Sequence, residues 1–157
     1  MGCHVPAAAV TDGFPAAAGG EAVSFVHAHR VRYHETDPQS FLFNSRYLEV
    51  ADVAMSEFFR HLGWPYEKLN ADGVDPSVVS ARLVFRAPAF FDDVIEFHVR
   101  CARVGHTSFE LEHTVTRARE ELAKISIVYV NVNAAEGVSL PLPAAVAHAL
   151  SGRRSSA

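Results

Sequence analysis

The clearest pattern in the chain is a helical stripe over residues 44–62. Apolar residues recur there every three or four positions, at Tyr47, Ala51, Ala54, Met55, Phe58, Phe59 and Leu62. This spacing puts them on one broad face of a single long helix. Asn44 or Ser45 is suited to cap the start of that helix, and Gly63 with Pro65 is suited to end it. A stripe so rich in phenylalanine predicts that the helix lies against a sheet.

Five other segments alternate apolar and polar residues with a period of two, which is typical of β-strands with one buried face. They are residues 25–33, 77–85, 94–104, 107–117 and 122–132. Val79, Ala81, Leu83 and Phe85 share one face of the second segment. The last segment is apolar on both faces beyond Ile127, which predicts a central position in the sheet.

The order of these elements predicts the fold class. One strand precedes the long helix and four follow it, and short connections between consecutive strands favour antiparallel pairing. The polar stretch 67–75 predicts a loop, and residues 144–150 predict a short terminal helix. We therefore expect an α+β domain over residues 25–150, in which a five-stranded antiparallel sheet wraps around one long helix. Residues 1–24, rich in Ala, Gly and Pro, predict a flexible leader, and residues 151–157 a tail.

Composition narrows the functional classes. A length of 157 residues fits one domain, and a net charge of −4 argues against general nucleic-acid binding. No apolar run approaches the roughly 18 residues needed to span a bilayer, so a membrane protein is not expected. Cys3 and Cys101 are too far apart in the sequence to suggest a disulfide framework, which makes a cytoplasmic protein the simplest interpretation.

The segment between the first strand and the helix contains the candidate chemistry. Glu35-Thr36-Asp37-Pro38 is followed by Phe41-Leu42-Phe43. An Asp before Pro is most often a plain turn residue, but a carboxylate there could also act as a nucleophile or a general base. Phe41 and Phe43 could form apolar walls for an acyl or aryl group, or they could be core or subunit contacts. The residues alone leave both interpretations open.

An ordered set of short motifs resembles the hotdog-fold thioesterases of the 4-hydroxybenzoyl-CoA thioesterase type. The set covers about residues 25–146 and consists of Val31-Arg32-Tyr33, Thr36-Asp37, Asn44-Ser45-Arg46-Tyr47-Leu48-Glu49, Arg86-Ala87-Pro88-Ala89 with Asp92-Asp93, Gly105-His106-Thr107-Ser108-Phe109, and Leu140-Pro141-Leu142-Pro143. Two positions depart from the family pattern. Ser40 stands where the family usually has Gly, which could alter the loop because Ser adopts positive φ less readily. Met55 stands where an Arg is common, which leaves the partner of Glu49 or Asp52 undefined.

The resemblance implies an acyl-CoA thioesterase that needs no cofactor and no metal. It implies that Asp37 is the nucleophile or general base and that the start of the long helix polarises the thioester carbonyl. The candidate substrate-binding residues are Phe41, Phe43, Asn44, Ser45, Tyr47, Ser80 and Arg103. Tyr47 could instead be a core residue, and Ser80 lies on the polar face of its strand. Arg103, like Arg100 and Arg117, could meet the phosphates of coenzyme A or simply lie on a solvated surface.

The resemblance also implies assembly, because the family pairs sheet edges between copies. We expect a homodimer or a homotetramer, with residues of a neighbour completing the site.

Two other functions stay open: a thioesterase acting on carrier-protein thioesters, and a non-catalytic module that binds acyl thioesters. A hotdog dehydratase is disfavoured, because no His lies in the loop before the helix. His27 and His29 lie on one strand face, where a satisfied or solvated pair is more common than a metal site.

Overall fold

The computed structural model describes residues 23–152; the remainder, which includes most of the expected leader and most of the tail, lies outside the described residues. The elements in chain order are β1 Ser24–Arg30, a 3-10 turn at Tyr33–Glu35, α1 Asn44–His61, α2 Tyr66–Ala71, β2 Pro76–Phe85, β3 Val94–Val104, β4 Ser108–Arg117, β5 Glu120–Asn133, β6 Val138–Ser139 and α3 Ala144–Leu150. None of the helices in this part of the chain is long and apolar enough to cross a bilayer.

The strands form one sheet in the order β1-β3-β4-β5-β2, and every neighbouring pair is antiparallel. The sheet curls around α1, so the expected α+β hotdog architecture is confirmed. β5 is paired on both sides, which suits a strand that is apolar on both faces, although the middle strand is β4. The two-residue β6 adds to the end of β5 and was not anticipated.

The core lies between α1 and the concave face of the sheet. Ala51, Ala54 and Phe58 of α1 have no exposed surface, and the small alanine side chains let the helix approach the strands closely. Phe59 of α1 meets Phe109 of β4 with 5.5 Å between ring centroids. Phe109 in turn stacks on Tyr129 of β5 at 5.0 Å. The apolar stripe of α1 is therefore buried against the sheet, as its spacing predicts.

Three local expectations were wrong. β1 ends at Arg30 instead of residue 33, and Tyr33 begins the 3-10 turn. The residue that caps α1 is Phe43, with φ −61° and ψ 139°, so neither Asn44 nor Ser45 is the N-cap. The stretch expected to be a loop contains α2, in which the buried Leu69 packs into the core. A single buried leucine among polar residues gives too weak a period for this helix to be recognised from sequence.

β2 is an edge strand whose alternation is interrupted. Val78 is opposite Tyr129, whereas Ser80 is opposite Val128, so Val79 is an extra residue in a bulge. Because residues directly opposite each other share a face, Val78 lies on the side of Tyr129 and Ser80 on the other side. The expected common face of Val79, Ala81, Leu83 and Phe85 therefore holds only from Ala81 onward.

Candidate active site

Asp37 lies in a loop that folds back on itself between the 3-10 turn and α1. Its N–H donates to the Phe41 carbonyl at 2.9 Å, and Thr36 forms an isolated β-bridge with Leu42. The side-chain Oδ1 accepts hydrogen bonds from the Gln39 N–H at 2.8 Å and the Phe41 N–H at 3.1 Å. The other oxygen, Oδ2, accepts none from residues 23–152. One oxygen thus fixes the carboxylate, and the second is free for a ligand.

Asp37 is part of the lining of an apolar cleft of about 230 Å³. The cleft lies between the Asp37 loop, the first turn of α1 and the segment that follows β2. Its lining residues are Asp37, Phe41, Leu42, Asn44, Tyr47, Phe85, Arg86, Ala87 and Pro88. Most of this wall is hydrocarbon, so charges within the cleft interact more strongly than they would in water.

The start of α1 meets the same cleft through Asn44. Phe43 has no side chain that could accept a hydrogen bond, and the Arg46 N–H is satisfied by the Phe43 carbonyl at 2.9 Å. The N–H groups of Asn44 and Ser45 form no hydrogen bond with other parts of the described chain. An uncapped helix start presents such donors together with the positive end of the helix dipole. It can therefore bind an anion or a polarised carbonyl oxygen.

Aromatic rings form two walls of the cleft. The Leu42 N–H donates to the Ala89 carbonyl at 2.8 Å, which joins the Asp37 loop to the segment after β2. The rings of Phe41 and Phe90 then meet edge-on at 5.4 Å. On the other side, Tyr47 and Phe85 meet edge-on at 5.1 Å.

Tyr47 is a buried part of this wall, with 2% of its surface exposed. Burial, above all, raises the pKa of its phenol, while a backbone hydrogen bond with Ala89 and the charge of Arg117 act in the opposite direction. The phenol is therefore neutral at physiological pH. Tyr47 contributes an apolar surface to the cleft and no negative charge.

The structure brings together only some of the residues that sequence analysis singled out. Phe41, Asn44 and Tyr47 line the cleft beside Asp37, while Phe43 and Ser45 lie next to it in the chain but outside the lining. Ser80 lies on the face of β2 that points away from α1. Arg103 lies near Glu110, with 3.7 Å between its Nε and a carboxylate oxygen. Neither Ser80 nor Arg103 reaches the cleft within one protomer.

The other arginines considered for coenzyme A phosphates already have carboxylate partners. Arg100 pairs with Glu112, and Arg117 contacts Asp93 at 2.5 Å and Glu120 at 2.6 Å. Sequence reasoning missed the contribution of Phe85, Arg86, Ala87 and Pro88 to the cleft. The family motif drew attention to Arg86-Ala87-Pro88-Ala89, but nothing in the local pattern says which distant loop it faces.

The two positions that depart from the family pattern keep the local structure intact. Ser40 has φ 65°, so it adopts the left-handed conformation that the family usually gives to glycine. Met55 is buried in the core with 6% of its surface exposed. Glu49 pairs with Arg46 at 2.7 Å, which identifies its partner.

One of the two histidines on β1 has a carboxylate partner. His29 is hydrogen-bonded to Glu35 at 2.9 Å. Within residues 23–152, no group of three His, Cys, Asp or Glu side chains is arranged to hold a metal ion.

Comparison with known proteins places these features in a family. Residues 31–150 match the model of the thioesterase-like superfamily. A crystal structure of a hypothetical protein from Thermus thermophilus is 30% identical, with a TM-score of 0.75, and the match covers 82% of this chain and 98% of that one. The structure of a gentisyl-coenzyme A thioesterase is 26% identical, with a TM-score of 0.72, over 78% of this chain and 98% of that one.

A curated relative from Escherichia coli, an acyl-CoA thioester hydrolase named YbgC, is 26% identical over 105 residues, which are 65% of this chain and 78% of the relative. The family match includes the Asp37 loop, the start of α1 and the segment after β2, so it covers the whole cleft. The chain belongs to the thioesterase-like superfamily and is a thioester hydrolase with the hotdog fold.

Proposed function

We propose that this protein hydrolyses acyl thioesters of coenzyme A to the free acid and coenzyme A, with Asp37 as the reacting carboxylate. One observation supports this above all others: Asp37, whose Oδ2 has no partner within the described chain, and Asn44, at the uncapped start of α1, line the same apolar cleft. A thioester needs a group to attack or activate water, and donors for the developing oxyanion. Asp37 and Asn44, the first residue of α1, both line the cleft, so both kinds of group are available to one substrate.

Two routes use the same geometry. In the first, Asp37 Oδ2 bonds to the acyl carbon, the carbon–sulfur bond breaks, and the thiolate leaves with its electron pair and takes up a proton. Water then cleaves the resulting anhydride and restores the carboxylate. In the second, Asp37 accepts a proton from a water molecule that attacks the acyl carbon directly; the carbon–sulfur bond breaks, and the thiolate leaves with its electron pair and takes up that proton. In both routes the N–H groups of Asn44 and Ser45 donate to the carbonyl oxygen, and each such donor stabilises the transition state by about 3 kcal/mol.

The apolar walls suit the acyl half of the substrate. Phe41, Tyr47 and Phe85 exclude water from the reacting carbon, which strengthens the electrostatic effect of the helix start. The side chains of Phe43 and Ser45 are not part of the lining, and their proposed contacts with the substrate lie beside Asn44 at the start of α1. An apolar acyl or aryl group is the substrate type that this wall accommodates.

The proposed assembly is a homodimer formed along β2, with a dimer of dimers as the larger alternative. β2 has β5 on one side and no strand of the described chain on the other. Val78 and Val79 on this edge are 55% and 60% exposed. Pairing with a second copy would give hydrogen-bond partners to the backbone N–H and C=O groups on this edge. It would also bring the partner close to Phe85, which lines the cleft. The free thiol of Cys101 suits a reducing compartment, and the cytoplasm is the proposed location.

The test is a thiol-release assay with a panel of short, long and aromatic acyl-CoAs. Asp37→Asn should fold normally and lose at least about 100-fold in kcat, because an amide neither attacks nor accepts the proton. Asp52→Asn, which changes an exposed carboxylate on α1 outside the cleft, is the matched control and should keep wild-type kcat. Near-wild-type turnover by Asp37→Asn would refute the assignment.

The same assay separates the alternatives. Each acyl group is also supplied on a carrier protein, and faster release from the carrier would make that the substrate. Thioester binding by wild type, measured calorimetrically, without any thiol release would instead show a non-catalytic binding module.

A further inference from the structure

The turn that precedes Asp37 is built on a buried carboxylate. Glu35 is 9% exposed, and its side chain accepts a hydrogen bond from the Arg32 N–H at 2.7 Å. The same Oε2 lies 2.9 Å from Nε2 of His29, near the end of β1. A buried carboxylate is costly unless it is paired in this way. Glu35 therefore ties the turn to the sheet.

The backbone of Glu35 makes a second connection. Its carbonyl accepts the Phe43 N–H at 2.9 Å, and Phe43 is the residue that caps α1. Asp37 lies two residues after Glu35, inside the loop that is closed by the bridge between Thr36 and Leu42. Glu35 thus contacts both the turn that precedes Asp37 and the start of α1.

The charges around this pair favour an ionised Glu35. Burial alone would raise the pKa of this carboxyl, but the Arg32 N–H and the His29 ring, with a smaller effect of His34, lower it below its usual value. His29 faces a small cavity of about 160 Å³ that is also lined by Glu35, His27, Glu49, Val50 and Val53. His27 belongs to the same strand and makes no hydrogen bond to the turn within the described residues.

We propose that His29 and Glu35 form a positioning pair for Asp37, an inference that rests on the function proposed above. Neither side chain lines the cleft, so neither would touch the substrate. They would act by holding Asp37 at a fixed distance from the N–H groups at the start of α1. Removing the His29 ring leaves the buried Glu35 carboxylate with the Arg32 N–H as its one remaining hydrogen-bond donor among the described residues. The turn then has to shift so that this carboxylate reaches water. A displacement of about 1 Å at a reacting group can cost on the order of 100-fold in rate.

Three variants test the pair kinetically. His29→Leu should lower kcat by about ten-fold or more and leave KM within about two-fold, because the walls that bind the acyl group are untouched. His29→Gln supplies an N–H donor of similar reach and should recover most of the lost kcat. His27→Leu, on the same strand face and in the same cavity, is the control and should keep wild-type kcat.

Hydrogen exchange tests the same contact without any substrate. The Phe43 amide, which donates to the Glu35 carbonyl, should exchange faster in His29→Leu than in wild type and be unchanged in His27→Leu. Wild-type kcat in His29→Leu, equal loss in His29→Gln and His29→Leu, or unchanged exchange at Phe43 would each overturn the proposal. A wild-type protein that releases no thiol would refute the proposed function alone, since the exchange measurement still decides whether His29 holds the turn.

Discussion

At the scale of single residues, the two oxygens of Asp37 have different surroundings. Oδ1 accepts two backbone N–H groups from its own loop, at 2.8 and 3.1 Å, whereas Oδ2 has no such partner within the described chain. An Asp side chain that bonds to the backbone two residues later is a common turn motif, and Pro38 restricts the backbone of the same turn. The ordinary turn role and the catalytic role that the sequence left open are therefore compatible, because each uses a different oxygen.

Ser40 closes this turn at an energetic cost. Its N–H donates to the Asp37 carbonyl at 2.9 Å, and its φ of 65° lies in the left-handed region. For residues with a Cβ atom this conformation costs roughly 1–2 kcal/mol relative to the right-handed one. The fold maintains the loop geometry in spite of the serine, so the departure from the family pattern affects stability more than shape.

We predict that Ser40→Gly stabilises the protein by about 0.5–1 kcal/mol, because glycine removes the left-handed penalty but gains entropy in the unfolded chain. Urea denaturation monitored by circular dichroism measures the change. Ser40→Ala removes the hydroxyl and keeps the Cβ atom, so it should give no gain. A Ser40→Gly protein no more stable than Ser40→Ala would show that the conformation is not strained.

At the scale of elements, the start of α1 is poorly stabilised as a helix. A Ser, Thr, Asp or Asn at the N-cap would accept an N–H of the first turn and stabilise the helix by about 1 kcal/mol. Phe43 has the right backbone geometry for a cap but cannot accept a hydrogen bond. The first-turn donors are thus left available, which is useful only if a ligand binds there.

Phe43→Ser tests whether the uncapped start of α1 lowers stability and supports activity. The serine hydroxyl should accept the N–H of Ser45 and add about 1 kcal/mol of stability relative to Phe43→Ala. It should also lower kcat by about ten-fold relative to Phe43→Ala, since a capped helix start is less available to the carbonyl oxygen. The alanine variant removes the same ring without adding an acceptor, and denaturation midpoints and thiol release are measured on both. Equal kcat in the two variants would contradict a role for the helix start.

The sequence-based prediction of α1 was correct for the helix and wrong for its N-cap. The helical period of α1 and the alternation of β3 are strong, so these elements and the fold class were predicted correctly. The N-cap was misplaced by at least one residue because Asn44 and Ser45 are good capping types, while tertiary contacts, such as that between the Phe43 N–H and Glu35, set the true start. Capping propensity favours a polar residue at the N-cap, whereas the observed N-cap is a phenylalanine.

Only one wall of the cleft could be predicted from the sequence. Asp37, Phe41, Asn44 and Tyr47 lie within eleven consecutive residues, where two neighbouring family motifs and the apolar residues between them single them out. The opposite wall comes from the segment after β2, some forty residues later. Its position depends on long-range contacts such as that between the Leu42 N–H and the Ala89 carbonyl. Contacts of this kind are set by the packing of the whole sheet and leave no local pattern.

At the scale of the whole molecule, the two outer strands of the sheet differ. β1 exposes alternate residues, as expected for a strand with one buried face. Most of β2 is exposed on both faces, and its end carries Phe85, which is 47% exposed and lines the cleft. The free edge and the site are thus adjacent. An apolar edge strand of this kind is a template for pairing with another chain.

We predict that Val79→Lys converts a homodimer to a monomer and lowers kcat by about ten-fold. A lysine on an edge strand opposes pairing, because its charge would be buried between the two copies. Loss of the partner then leaves Phe85 more exposed to water, which weakens the electrostatics of the cleft. Val26→Lys places the same charge on the other edge, at a valine 46% exposed in β1, and should change neither property. Light scattering coupled to gel filtration, at micromolar protein, gives the mass of each variant. A Val79→Lys protein that stays dimeric would show that β2 is not the interface, and a fully active monomer would show that the site is complete within one chain.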